Sequence, residues 1–349
     1  ERAAHADLLD AMGHFMAGRF LRARKAAESV LDKEEHLREA GVELDHAVSL
    51  RSVAHIMAAE ASHALQDRDR RQHHLAQAVL HAQQGQSAQR QTLTEGVQLR
   101  AARWLLDDRD AQGSLDRLKE LPPASGRRMV AMRLQLKAAR LAGQPAQALE
   151  TAVLLAKHRA FSPSVAQSLV SRLILEWVAS THDAEGMQRV WKKLTPAQKL
   201  MPEVAAEAAL RWLQLGGEPF QARQWLQAVI MPLLDTPTAW RDAVDMRFVQ
   251  ALEASLADTQ SQDALDWLSR IERAQQALPR DPYLQFLAGM LCWRHKLWGK
   301  AQGLLSQSIK SLVEPTLRRQ AWCALAELAE QRQDAEAAKN AWKQAAQTI

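Results

Sequence analysis

One tyrosine and no sustained runs of Val, Ile and Thr leave this 349-residue chain little from which to build a sheet. Its two cysteines, Cys292 and Cys323, stand 31 residues apart with no CxxC spacing, which excludes a disulfide framework or a cysteine-based zinc site. Both read as small buried apolar residues of a reducing compartment. No apolar run approaches the roughly 18 residues that span a bilayer. The nearest, SLVSRLILEWVAS, is interrupted by Arg172 and Glu176. GxSxG, HExxH, GxxxxGK[ST] and GxGxxG are all missing, so no enzymatic activity is expected. LGGEPF is glycine-rich, but no strand precedes it, and it reads as a turn rather than a phosphate loop. The formal charge is +5, with acids and bases interleaved rather than clustered. That pattern argues against a nucleic-acid partner.

What is abundant is helix-forming sequence. Hydrophobic residues make up 47% and charged residues 24%, the balance of a folded globular chain. Ala, Leu, Gln, Arg and Glu dominate, all good helix formers. One short pattern recurs in AGRFLRARKAAESVL, AGQPAQALETAVLLA and HKLWGKAQGLLSQSI: a turn, a small residue, then a large apolar one four later. Small positions let two helices approach closely and large ones fill the gap. Nine anchors follow this order: Ala23, Arg71, Ser114, Ala148, Met187, Ala222, Ala264, Ala301 and Ala338. Their spacings are 48, 43, 34, 39, 35, 42, 37 and 37 residues. Arg71 and Met187 depart from the small-residue rule. Gly- and Pro-bearing turns such as LAGQP, LPRDP and VEP fall between the helical stretches. A lone hairpin cannot bury its apolar face, so its neighbours must cover it. The expected fold is all-α: a right-handed superhelical solenoid of about nine tetratricopeptide-like helix hairpins, the last serving partly as a cap.

Candidate binding residues follow from the register. The first helices should line the groove. They place Arg103, Arg133, Lys137, Arg140, Arg172 and Arg211 there, with Arg133, Lys137 and Arg140 at i, i+4 and i+7 on one face. Guanidinium groups pair with carboxylates in a planar fork, so this groove suits an acidic peptide or a propionate-bearing tetrapyrrole. Trp293 also faces the groove, as an aromatic platform. Trp191, Trp225, Trp267, Trp298 and Trp342 occupy large repeat positions and belong to the core. Nine of twelve histidines precede residue 82: His5, His14, His36, His46, His55, His63, His73, His74 and His81. Neither His55/His63 nor His74/His81 has the i, i+4 spacing that chelates a metal, so no metal site is expected. A single imidazole can still hold a haem iron, which makes haem a candidate ligand of this region.

Several stretches resemble the HemY proteins of Gram-negative bacteria. HADLLDAMGHFMAGRFLRARKAA is similar to their first repeat and HIMAAEASHALQDRDRRQHHLAQA to their second. RRMVAMRLQLKAARLAGQPAQAL and VWKKLTPAQKLMPEVAAEAALRWLQLGGEPFQA resemble the middle repeats. DPYLQFLAGMLCWRHKLWGKAQGLLSQSI resembles the C-terminal pair, its Trp-Gly-Lys-Ala run being the most specific piece. The resemblance divides the chain into family-type repeats over 1–90 and a repeat array over 91–349. It implies an inner-membrane protein of the haem-biosynthesis operon, with two membrane helices ahead of cytoplasmic repeats. Those anchor helices are outside this chain. It further implies a non-enzymatic scaffold for enzymes of a late step in protohaem synthesis. A general scaffold or chaperone for cell-envelope proteins is the alternative. The flavin-dependent oxidase sharing the family's name is excluded, because no dinucleotide fingerprint is present.

Overall fold

The computed structural model describes residues 2–42, 44, 46–84, 87–236, 239–241, 244–257 and 262–348, and of 87–90 and 262–264 the backbone alone. No strand occurs among them. The chain forms two compact units, Glu1–Ala166 and Gln167–Ile349. Residue 90, where the resemblance implies a division, lies within the helix Ser87–Asp107 of the first unit.

In the first unit, α1 (Arg2–Met16) packs on α2 (Phe20–Glu39), α3 (Ala47–Ala64) on α4 (Arg68–Gln84), α5 (Ser87–Asp107) on α6 (Ala111–Lys119), and α8 (Met129–Leu141) on α9 (Pro145–Lys157). A single helical turn, α7 (Pro123–Gly126), joins the last two hairpins. Helix α10 (Pro163–Ala179) leads into the second unit, followed by α11 (Ala184–Lys193) and the short α12 (Pro196–Lys199). Then come α13 (Pro202–Gln214) and α14 (Pro219–Asp235), α15 (Met246–Ser255) and α16 (Gln262–Ala277), α17 (Pro282–Arg294) and α18 (Trp298–Ser311), and α19 (Pro315–Gln331) and α20 (Ala335–Gln347).

Neighbouring hairpins interlock the same way in both units. First helices touch first helices, in the rows α1–α3–α5–α8 and α13–α15–α17–α19. Second helices α2, α4, α6 and α18 also pack on the first helix of the next hairpin. The described residues are therefore all-α helical repeats, as the spacing predicts, with closely packed pairs α1–α2, α3–α4, α5–α6 and α8–α9 in the first unit and α13–α14, α17–α18 and α19–α20 in the second.

All nine anchors lie in second helices. Ala23, Ser114, Ala148, Met187, Ala222, Ala301 and Ala338 are buried; the side chain of Ala264 lies outside the described residues. Arg71 is the outlier and has its own chemistry. Its guanidinium pairs with Asp108 at the end of α5 and donates to His63 Nδ1 at 3.0 Å. Small residues let the helices close up: Ala11, Ala27 and Ala58 meet in one fully buried cluster of α1, α2 and α3. Proline opens α9, α10, α13, α14, α17 and α19, where its missing N–H costs nothing.

Arginines brace successive hairpins. Arg223 donates to the Ser255 carbonyl at 2.6 Å, and Arg294 to the Glu253 carbonyl at 3.1 Å. Both carbonyls lie in the last turn of α15, where the helix supplies few backbone donors; that of Glu253 also accepts from Leu256 N–H at 3.1 Å.

Trp191, Trp225 and Trp267 are buried as their repeat positions predict. Trp298 is half-buried. Trp342 is 39% exposed and donates to Glu330 at 2.7 Å. It sits on the last hairpin, whose outer side no other described helix covers, so its ring is only partly in the core.

Candidate functional site

Two surfaces formed by first helices carry the predicted site residues, one in each unit. In the first unit Arg103 is exposed on α5, and Arg133, Lys137 and Arg140 are exposed on the neighbouring α8. Between them Met132, Leu136, Ala138 and Ala139 are buried, so the core side of α8 is apolar and the opposite side cationic. Adjacent cations of the same row are neutralised. Arg100 pairs with Glu60, and Arg128 with Glu95 at 2.6 Å. Arg103, Arg133 and Lys137 have no acidic partner among the described residues.

In the second unit Arg172 is exposed on α10. Arg211 is committed to the fold: its Nε donates to the Thr181 carbonyl at 3.1 Å, tying α13 to the segment that follows α10. Trp293 is half-buried and lines a cleft of about 370 Å³ between α15, α17 and α19. Met290 forms the apolar floor beside it, while Arg319, Gln320 and Glu327 reach in from α19. Burial, and then the Glu330 charge, push the Glu327 carboxyl above its usual range. Glu253, at the cleft's far side, is buried and pairs with Arg294. Cys323 lines the same cleft and is half-buried rather than core. Thr316, Gln320, Cys323 and Glu327 recur at i, i+4, i+7 and i+11, the face that carries Arg133, Lys137 and Arg140 on α8. Extending the repeat register to the last hairpin identifies them; basic residues and tryptophan alone do not.

No family model matches this chain, nor does any curated protein. Among solved structures it is similar to the tetratricopeptide domain of P58(IPK), at 12% identity over 95% of this chain and 99% of that one, with a TM-score of 0.29. It is also similar to Naa15/Naa10 bound to HypK-THB, at 12% identity over 96% of this chain and with a TM-score of 0.30. The chain spans 57% of the length of that second structure. The hairpin array rests on the packing described above, not on these likenesses.

The N-terminal histidines gather in a way that spacing along one helix does not reveal. His55 on α3 meets His74 on α4, with their Nδ1 atoms 3.0 Å apart. His81 stacks on His55 at 5.5 Å between ring centres. The three border a cavity of about 460 Å³ that α2 closes with Glu28, Asp32, Glu34 and Glu35. The cavity's two arginines are already paired, Arg51 with Glu34 at 3.3 Å and Arg38 with Glu35 at 3.0 Å. These residues do not fit a haem. The four carboxylates that α2 brings to the cavity would repel its propionates. No group of three or more His, Cys, Asp or Glu is disposed to hold a metal ion among the described residues. His36 borders a separate pocket of about 400 Å³ with Ala3, Ala4, Lys33 and Leu37, but Lys33 there already pairs with Asp7. No helix among the described residues is long and apolar enough to cross a membrane.

Proposed function

We propose that this chain is a docking scaffold whose first helices receive an acidic segment of a protein partner. The observation that carries this reading is the set of cations left unmatched on adjoining helices, Arg103 on α5 with Arg133 and Lys137 on α8. Elsewhere the fold neutralises charge at close range. Arg247 grips both oxygens of Glu207, and Arg294 pairs with Glu253. Unpaired, exposed guanidinium and ammonium groups attract carboxylates and speed their approach. The Trp293 cleft in the second unit offers a further anchor, an aromatic face beside the exposed Arg319.

Following what the resemblance to the HemY family implies, we further propose that the partner is an enzyme of late protohaem synthesis and that the full-length protein holds the repeats at the cytoplasmic face of the inner membrane. Crosslinking in cells with the full-length membrane form tests both parts. Reversing charge with Arg133→Glu and Lys137→Glu is expected to lower capture of the partner at least tenfold while leaving the melting temperature unchanged. Undiminished capture refutes the groove. Recovery of secretion or outer-membrane components in place of tetrapyrrole enzymes supports the envelope-scaffold alternative and removes haem synthesis from the reading.

A further inference from the structure

A second cleft lies between α4, α5 and the last turn of α6, and its chemistry differs from that of the docking surfaces. Its volume is about 410 Å³, within the range of small-molecule sites. The floor is hydrocarbon: Leu75 and Val79 from α4, Trp104 and Leu105 from α5. Ala76, small and exposed, keeps the mouth open on the α4 side. The rim is charged and unbalanced, with Arg68, Arg71 and Arg117 set against one acid, Asp108.

These arginines are not equally committed. Arg71 is fixed by Asp108 and by its donation to His63 Nδ1, and His63 in turn stacks on Trp104 at 5.6 Å. Arg68 reaches the same carboxylate only at 3.4 Å, with its side chain 71% exposed. Arg117 has a half-exposed partner three residues away, Glu120, at 3.3 Å. Exposed pairs of that kind contribute little and exchange readily. Two guanidinium groups can therefore turn onto an incoming anion while Arg71 and Asp108 hold the wall in place. An apolar floor beneath mobile arginines fits a ligand with a hydrocarbon body and a single anionic head.

We propose that this cleft binds a long-chain carboxylate, its tail against Leu75, Val79, Trp104 and Leu105 and its head between Arg68 and Arg117. The site is independent of the protein-docking reading and uses none of its residues.

Calorimetric titration of the whole chain with octanoate, decanoate and dodecanoate, kept below their micellar concentrations, provides the test. Saturable binding at one site is expected, tightening about fourfold per added methylene as each is buried. Dodecylamine, with the same tail and the opposite charge, should bind at least tenfold more weakly. Arg68→Gln combined with Arg117→Gln should weaken dodecanoate about tenfold and narrow the preference for the acid over the amine. Ala76→Trp plugs the mouth from an exposed position and should abolish binding with helicity and melting temperature retained. The proposal fails if dodecanoate shows no saturable binding, if the amine binds as well as the acid, or if a folded Ala76→Trp variant binds dodecanoate as tightly as the parent.

Discussion

His55 shows how one side chain can make a helical repeat sensitive to acid. Burial, followed by the nearby His74, His81, His73 and Arg51, pushes its pKa down to about 3. Burial also lowers His74, against the opposing pull of Glu28, and lowers His81. An unfolded histidine titrates near 6.5, so between about pH 6.5 and 3 the unfolded chain binds protons that folded His55 refuses. The stability of the neutral cluster is therefore complete above pH 6.5 and is lost as the pH falls. The carboxylates act in a lower window. Asp108, held down by its hydrogen bond from Arg71, and Asp7, held down by Lys33 and Ser29, contribute fully above about pH 4 and lose their share only below it. Water screens part of the histidine effect, leaving about 1 kcal/mol lost by pH 5. For a unit of this size that is a fall of about 2–4 °C in melting temperature. Calorimetry at pH 7 and pH 5 should show this fall in the parent and a flatter profile in His55→Gln. An equal slope in both proteins would remove His55 as its cause.

At the scale of the element, the turn into each second helix follows a rule finer than the repeat itself. Four residues before the anchor stands the N-cap: Asp67, Asp110, Asp183 and Asp334 accept backbone N–H bonds there, from Arg70, Gly113, Gly186 and Ala337. Five residues before the anchor stands a left-handed residue at Gly18, Gln66, Arg109, Gly143, Lys296 and Gln333, with φ between 59° and 70°. Glycine meets that conformation without penalty, whereas an L side chain crowds its own carbonyl. Lys296→Gly and Gln333→Gly are thus expected to stabilise the protein by about 0.5–1 kcal/mol each, and Asp334→Ala to cost about 1 kcal/mol. Urea unfolding measures all three, and destabilisation by both glycine variants would contradict the argument. The same positions show what sequence reveals of these elements. A search for glycine finds the turns at Gly18 and Gly143 and passes over those at Gln66, Arg109, Lys296 and Gln333, because backbone connectivity rather than local preference imposes the conformation. The anchors are legible because the alanine–leucine order records close helix packing, which no other residue order satisfies as well.

At the scale of the molecule, the parts of the sites that sequence reveals are those that lie on a single helix. Arg133, Lys137 and Arg140 share a face through their spacing alone, and the register takes Trp293 to its cleft. The histidine cavity draws on α2, α3 and α4, and the arginine-rimmed cleft on α4, α5 and α6, so pairing between helices must be known before either appears. Arg211 has the right register, but a backbone carbonyl in the preceding segment takes its guanidinium. The same dependence on neighbours should govern stability. In the second unit α17 is covered by α15, α16, α18 and α19, and Gly289 lies at its closest approach to α18. A Cβ there would stand 2.8 Å from the Leu305 side chain and 3.2 Å from the Leu305 backbone nitrogen. The side chain can turn aside, but the helix backbone cannot. Gly289→Ala should therefore cost about 1–3 kcal/mol by overpacking. Each hairpin is stabilised by those beside it, so the loss should spread along the array rather than remain at one residue. Amide exchange is expected to quicken across α15–α20 and to stay unchanged in α1–α9, which belong to the other unit. A uniform loss of protection over both units would show a single cooperative body, and a loss confined to α17 and α18 would show hairpins that stand without their neighbours.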